Sequence, residues 1–500
     1  MAVHIPALYV PIQTLAEARA IEYAKLNKGL GLQEMSVADV AEDAATMAAH
    51  AILELIERNR LAPSEIGRIY LGTESALDGA KPTATYVQDM LQQYLAREYG
   101  ADCLLNCDVV DLTFACVGGV DAMLNSLDWI RAGEQRKAIV VASDNAKYEL
   151  ASTGEYTQGA GAVAMLLKES PRLLAIEPVV GTATRPVHDF FKPVRKITKR
   201  ALLEEALKEA AVPEEKWGAI LQKLNPEALN ESGYWDSNED YFLIHRDTPV
   251  FDGPYSNDCY RSRIREALDH YEQQLASSAE PTTDQWRRII FHLPYAFQAR
   301  RMFAELFLAE AQKRGDLDLL LEEMGTAEPR SDQFDSEEAF AKAMNAFLRG
   351  VSKTQRYRTF VAEKIERGER YSSRMGNLYA GSIFLSLLSS LEADYAEGTD
   401  LDGAALGFFG YGSGSKSKVF VGVVQPRWKE VVAAFDTDKR LDSRQAIDYP
   451  TYEKLHRGRL LQPIAPEQLT FRLAEVSAER GVREGARTYS VQTPVGLEVK

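Results

Sequence analysis

"NCDVVDLTFACVGGVDAMLNSLDWIRAG" (106–133) is the stretch that decides the fold. Its first part, 106–116, is rich in β-branched and apolar residues and predicts a strand. From Val117 the apolar residues recur at helical spacing, and the run closes on Gly133. A strand that feeds directly into a helix is the opening of a βαβ unit. Cys116 stands at the junction, followed by Gly118 and Gly119. At a helix N-terminus a cysteine meets the positive end of the helix dipole, which favours the nucleophilic thiolate. The glycines admit close approach of a substrate or of another backbone. A second reading stands beside this one: an isolated cysteine in an apolar segment is packing.

The same alternation extends outward. "VADVAEDAATMAAHAILELIERN" (37–59) and "YVQDMLQQYLAREYG" (86–100) are helical. "IGRIYLGTES" (66–75), "KAIVVASD" (137–144) and "GAVAMLL" (161–167) are strands. Continuous apolar strands between helices predict a sheet covered on both faces. The rhythm returns in "RRIIFHLPYA" (287–296), in the helix that follows it, and in "GNLYAGSIFLSLLSSLEA" (376–393). "ALGFFGYGSGSKSKVFVGVV" (405–424) reads as two strands joined by a glycine-serine loop. The expectation is an α/β chain of two duplicated βαβ halves, 1–172 and 173–424, with an extension over 425–500. Residues 195–285 are charged, and 315–370 read as a helical insertion. The segment after 425 is polar and shows no chemistry of its own.

Composition narrows the setting. With 45% hydrophobic and 26% charged residues in 500, the chain is an ordinary large globular protein. Its net charge of −15 speaks against nucleic acid and anionic membranes as partners. No apolar run is long enough to span a bilayer, and the N-terminus lacks a signal peptide pattern. Four cysteines do not make a disulfide framework, so a reducing, cytoplasmic compartment is expected. Cys103 and Cys107 have no second Cys/His pair at matching spacing, and no metal site is expected.

Further candidates sit at strand ends, where loops place side chains in a cleft. They are Glu74 in "LGTES", His292 in "FHLPY", Asn377 in "RMGNLYAGS" and Ser413 in "GYGSGS". Each has a plainer reading: a solvated or paired glutamate, a hydrogen-bonded core histidine, a helix cap and a tight hairpin turn. No phosphate-binding loop, dinucleotide fingerprint or zinc-protease motif is present.

Taken together, "GLGLQEMSVADVAEDAATMAAHAI", "YLGTES", "FACVGGVDAML", "TQGAGAVAMLL", "HDFFKP", "FDGPYS", "HLPYAF", "GNLYAGS" and "GYGSGS" resemble the 3-hydroxy-3-methylglutaryl-CoA (HMG-CoA) synthase family of the thiolase superfamily. They follow the family's order across about 29 to 420. The resemblance implies a thiolase-like fold, layered α/β/α/β/α, with helical insertions in the second half. It makes Glu74 the general acid/base, Cys116 the nucleophile that carries an acetyl group, and His292 the group that binds the acetoacetyl thioester. Thr157, Ser256, Asn377 and Ser413 match substrate-lining positions, and Asp144 and Asp189 match supporting acids. Family members often carry lysines after "HxPY", near the CoA phosphates. Here the segment reads "AFQARR", with Phe297 at such a position, so Arg300 and Arg301 are expected to supply the charge. Tyr156 stands where proline is usual, and the first strand is expected to be abbreviated.

The implied activity condenses acetyl-CoA with acetoacetyl-CoA and water, through an acetyl-cysteine, to HMG-CoA and CoA. No cofactor is implied. An alternative is the polyketide β-branching relative, whose partner is an acyl carrier protein. A third is a non-catalytic scaffold of the same fold. A homodimer is the superfamily's usual state, and the mevalonate pathway is the setting that the HMG-CoA synthase resemblance implies.

Overall fold

In the computed structural model, which describes residues 1–223, 240–275, 280–465, 469–479 and 481–492, the alternating segments of the first third close into one sheet. Its strands are β1 (Ala2–His4), β2 (Arg68–Gly72), β3 (Asp108–Leu112), β4 (Lys137–Asn145) and β5 (Ala160–Lys168). They lie in the order β1-β5-β4-β2-β3. Strand β2 runs parallel to both neighbours, with Gly72 opposite Leu112 and Ala142. The short first strand, three residues long, pairs antiparallel with β5.

A second sheet comes from β6 (Leu174–Thr184), β7 (Arg288–Phe291), β8 (Ala405–Gly412) and β9 (Lys416–Val424), in the order β7-β8-β9-β6. The glycine-serine stretch is the turn between β8 and β9.

Helices fill three layers around these sheets. The outer layer of the first sheet is α1 (Ala44–Asn59) and α2 (Thr83–Tyr99). Helix α1 starts where Asp43 accepts from the Ala45 and Thr46 amides while Thr46 accepts from the Asp43 amide. Such reciprocal capping is worth about 1 kcal/mol. The middle layer is α3 (Gly118–Arg131) and α6 (Ser382–Ala396). Helices α4 (Gly253–Gln274) and α5 (Ala304–Arg314) cover the second sheet.

Side-chain alternation explains the layering. Ile69 and Leu71 face the outer cluster with Ile52, Leu55 and Leu91, while Tyr70 faces inward. Between the sheets, Val120, Met123, Ile383 and Phe384 pack against Val140, Ile290 and Phe408. A period of two along strands that are buried on both faces requires this arrangement. It is the α/β/α/β/α order that the family resemblance implies.

The charged 315–370 segment is helical, as Leu317–Met324, Glu337–Val351 and Gln355–Lys364. One face carries Phe347, Leu348, Tyr357 and Phe360 into the cluster beside α5. After β9, Gln445–Ala446 pairs in parallel with Leu8–Pro11, and the hairpin of Phe471–Val476 with Arg487–Val491 seats Phe471 against the outer helices.

By its internal contacts, Met1–Asp189 with Asp252–Lys500 makes one unit and Phe190–Phe251 another. The latter pairs Arg195–Thr198 with Tyr241–Ile244 and carries helices Lys199–Glu209 and Glu214–Lys223. Among the described residues, no helix is long and apolar enough to cross a membrane.

Candidate active site

Parallel strands deliver their carboxyl ends to one side of a sheet, and the first-half candidates gather there. Glu74 lies two residues past β2, Asp144 is in the last turn of pairing of β4, and Cys116 follows β3. The Cys116 thiol donates to Glu74 Oε1 at 2.8 Å. The thiol is buried, with 7% exposure. Ala115 has φ of 40°, and this left-handed residue turns the chain from β3 into α3.

The glycines after Cys116 serve backbone packing. A Cβ on Gly118 would lie 2.7 Å from Leu112 O, and one on Gly119 2.7 Å from Ala380 O. A Cβ on Gly72 would sit 2.4 Å from Gly119 Cα. Of the two expectations for this pair, approach of another backbone is what the glycines permit. The helix start is thereby drawn against β2 and against the turn before α6.

Asp144 is fully buried and holds the Glu74 loop. Its Oδ1 accepts from Thr73 Oγ1 at 2.9 Å and from the Glu74 amide at 2.8 Å, and its Oδ2 accepts from the Ala380 amide at 3.0 Å. Burial, then the charge of Glu74, push its carboxyl up to about 7, against the pull of those donors.

The second half contributes His292, directly after β7. Its amide donates to Phe409 O at 3.0 Å, and its carbonyl accepts from Tyr260 at 3.0 Å. The ring is buried, and Nδ1 has no hydrogen-bond partner among the described residues. Burial pushes its pKa down to about 3, so the imidazole is neutral at ordinary pH.

Asn377 is buried before α6. Its Oδ1 accepts from the Tyr379 amide at 2.8 Å and its amide donates to Thr157 O at 2.9 Å, so it caps the turn and joins it to the Thr157 loop. Asp189 binds a different set: the Tyr411 hydroxyl at 2.9 Å, the Gly414 amide at 2.8 Å and Ser256 Oγ at 3.2 Å. The Ser413 side chain bonds to the Tyr411 hydroxyl. The Gly414 amide, next to Ser413, is thus taken by Asp189.

The comparisons with known proteins decide the family. Models of the hydroxymethylglutaryl-coenzyme A synthase N-terminal and C-terminal domains match residues 1–171 and 240–459. A hydroxymethylglutaryl-CoA synthase of Haloferax volcanii is 32% identical over 89% of this chain and 86% of its own length. The chain belongs to the hydroxymethylglutaryl-CoA synthase family. The Enterococcus faecalis synthase is 25% identical over 90% of this chain and 88% of its own. The solved structure of MvaS in complex with 3-hydroxy-3-methylglutaryl coenzyme A is 27% identical with a TM-score of 0.70, covering 98% of this chain and 97% of that one. The curacin pathway HMG synthase, solved with a holo donor carrier protein, shares the fold at 19% identity and a TM-score of 0.68, over 98% of each chain.

Within this family frame the structure adds residues that sequence reasoning passed over. Tyr148 is buried where its phenol feels the charges of Cys116 and Glu74, and it hydrogen-bonds with the Tyr379 and Thr157 side chains. Tyr379, with φ of 41°, feels the charges of Glu74 and Cys116 as well. Burial raises both phenols far above their ordinary range, so both are donors. Tyr379 lies inside the quoted "GNLYAGS" and Tyr148 four residues past "KAIVVASD", yet a tyrosine in an apolar stretch carries no signal of its own.

The paired arginines separate. Arg300 turns inward: its Nε donates to Glu369 Oε1 at 2.8 Å, and a second nitrogen bonds to Glu369 Oε2. That corrects the expectation of two arginines at the CoA phosphates. Arg301 is exposed, 5.7 Å from the Tyr295 ring centre. Phe297 packs on Gly31 and donates its amide to Leu30 O at 3.1 Å. Among the described residues no group of His, Cys, Asp and Glu is placed to hold a metal ion.

Proposed function

We propose that the chain is a hydroxymethylglutaryl-CoA synthase that works through an acetyl group on Cys116. The carrying observation is the thiol of Cys116 bonded to the Glu74 carboxylate at 2.8 Å, inside a chain of this family. Glu74 takes the thiol proton as sulfur attacks the acetyl carbonyl, then passes it to the departing CoA sulfur. The freed carboxylate removes a proton from the acetyl methyl. The carbanion attacks C3 of acetoacetyl-CoA, and Glu74 returns its proton to the new alkoxide. Water cleaves the Cys116 thioester, leaving the carboxylate of HMG-CoA and a restored thiol. His292 holds the acetoacetyl group through the ring nitrogen that the protein leaves unpartnered. Thr157, Asn377, Ser256 and Ser413 line the substrates, and Asp144 and Asp189 hold the loops that carry them. Arg301 is the exposed cation for CoA phosphate.

These steps call on no metal or redox cofactor. We assign the protein to the cytoplasm and to the mevalonate pathway. We further infer a homodimer that forms along β3, the sheet edge next to Cys116.

Intact-mass spectrometry after incubation with acetyl-CoA tests the reading. One acetyl adduct is expected, absent in Cys116→Ser. An adduct that survives the substitution refutes the nucleophile. Supplying acetoacetyl-CoA or an acetoacetyl carrier protein then separates the synthase from the β-branching enzyme.

A further inference from the structure

Helix Tyr449–His456, from the polar segment after β9, lies against the loop that follows Asp144. Asp448 caps it, accepting from the Thr451 amide at 2.9 Å. Tyr452 and His456 stand four residues apart and so project from one face. His456 Nε2 lies 2.9 Å from Tyr148 O and 3.3 Å from Gln158 Oε1. Both partners are acceptors, which fixes the proton on Nε2. Gln158 Oε1 also accepts from the Tyr148 amide at 2.6 Å. Tyr148 is therefore gripped at both its N–H and its C=O by side chains.

The grip continues downward with every donor assigned. Gln158 Nε2 donates to the Tyr452 hydroxyl at 2.7 Å, and that hydroxyl donates to Glu155 Oε1 at 3.3 Å. Arg19 donates to both Glu155 oxygens at 2.7 and 2.8 Å, and the Ala151 amide donates to Oε2 at 2.7 Å. Glu155, Gln158 and Tyr452 are nearly or fully buried, so each bond is shielded from water.

We propose that Tyr452 and His456 are positioning residues: they hold loop 146–158 so that Tyr148 and Thr157 stand beside Cys116 and Glu74. The inference rests on the synthase reading, because it gives the loop a reaction to serve. Neither residue reaches the reacting atoms; both act through the Tyr148 backbone and Gln158. A site held within a few tenths of an ångström depends on such supports.

Tyr452→Phe removes one hydroxyl, His456→Ala the whole grip on the carbonyl, and His456→Gln keeps an N–H near the Nε2 position. Tyr452→Phe and His456→Ala should each lower kcat by about fivefold to tenfold, the worth of one hydrogen bond in a barrier, with KM within about twofold. His456→Gln should restore kcat to within about twofold of the parent, which a mere loss of stability does not predict. Amide hydrogen exchange in 146–158 should quicken in the first two variants and not in the third. An unchanged kcat, unchanged exchange, or a His456→Gln as slow as His456→Ala overturns the proposal. If the parent makes no HMG-CoA, the synthase reading fails by itself. Exchange and the alkylation rate of Cys116 by iodoacetamide then decide the positioning, and it is overturned if neither moves.

Discussion

The two halves of the fold bring their candidate catalytic groups to the site in opposite condition. In the first half these are met in advance: Cys116 bonds to Glu74 at 2.8 Å, and Asp144, which holds the Glu74 loop, accepts from Thr73, Glu74 and Ala380. In the second half, His292 is anchored through its backbone while Nδ1 stays buried without a partner among the described residues. Leaving a buried polar atom unmet costs about 1–3 kcal/mol. A fold keeps such a group where a substrate supplies the missing bond. On the proposed reading the contrast divides the labour: the first half moves an acyl group and protons, and the second receives a carbonyl.

Glu74→Gln presses hardest on that division. It removes the proposed base and keeps the size. Overall condensation should fall about 10²–10⁴-fold, and labelling of Cys116 by acetyl-CoA should slow as well, because the same carboxylate is proposed to carry the thiol proton. Labelling at the parent rate would show that another group takes that proton. His292→Ala should act on the other half. It should lower kcat/KM for acetoacetyl-CoA by about 10–100-fold, the worth of a buried hydrogen bond, and leave the labelling rate alone. His292→Asn retains a donor near the Nδ1 position, and its recovery would name the nitrogen used. Slowed labelling in His292→Ala would place the histidine in both steps.

The same two groups bend the pH dependence of stability in opposite directions. The pKa of His292 is pushed down to about 3 by burial. Below its ordinary 6.5 the unfolded chain takes up a proton that the native ring refuses, so stability falls as pH drops from there toward about 3. That of Asp144 is pushed up to about 7, so its contribution is full below 3.8 and is lost as pH rises through about 7. Each slope is at most about 1.4 kcal/mol per pH unit. Urea unfolding between about pH 4 and 8 should show His292→Asn lessening the gain in stability as pH rises from about 4, and Asp144→Asn enlarging it, because that variant no longer carries the loss that Asp144 brings toward about 7. His50, half-buried and pushed down to about 3, adds the same sign as His292 and stays in every variant. Identical slopes in parent and variant would mean that water reaches the group.

Sequence reading reached the parts of the site that end strands. Glu74 and His292 each follow an apolar run, and Cys116 stands where a strand pattern gives way to a helical one; such changes are visible without coordinates. It placed the sheets, the middle helices and the β8–β9 turn for the same reason. It offered two partners for Gly118 and Gly119 and could not choose, because closeness to Ala380 spans the two halves. It found no chemistry after 425, yet Tyr452 and His456 reach Gln158 and Tyr148 from about three hundred positions away. Hydrogen bonds at that separation leave no periodicity and no motif. Buried tyrosines such as Tyr148 and Tyr379 look like core until their neighbours are known.

Arg300 and Arg301 repeat the contrast between met and unmet groups on a smaller scale. Adjacent in sequence, they looked interchangeable. Arg300 is bound to Glu369, whose side chain is 4% exposed and whose pKa burial pushes up to about 7 even with the guanidinium beside it. Arg300→Ala strands that carboxylate. It should lower stability by about 3 kcal/mol, the low end for breaking a buried pair, since Arg300 keeps some water. Arg301 faces solvent, 5.7 Å from the Tyr295 ring centre and near enough to Tyr156 to act on its phenol. Arg301→Ala should leave the melting temperature and kcat alone. It should raise KM for acetyl-CoA by no more than about fivefold, because an exposed ion pair is worth at most about 1 kcal/mol. The rise should shrink in 0.5 M salt, where the Debye length is only about 4 Å. If KM for acetyl-CoA does not move, Arg301 belongs to the helix surface. The phosphate contact then has to be sought among the basic residues of 191–200, starting with Lys192, Arg195 and Lys196.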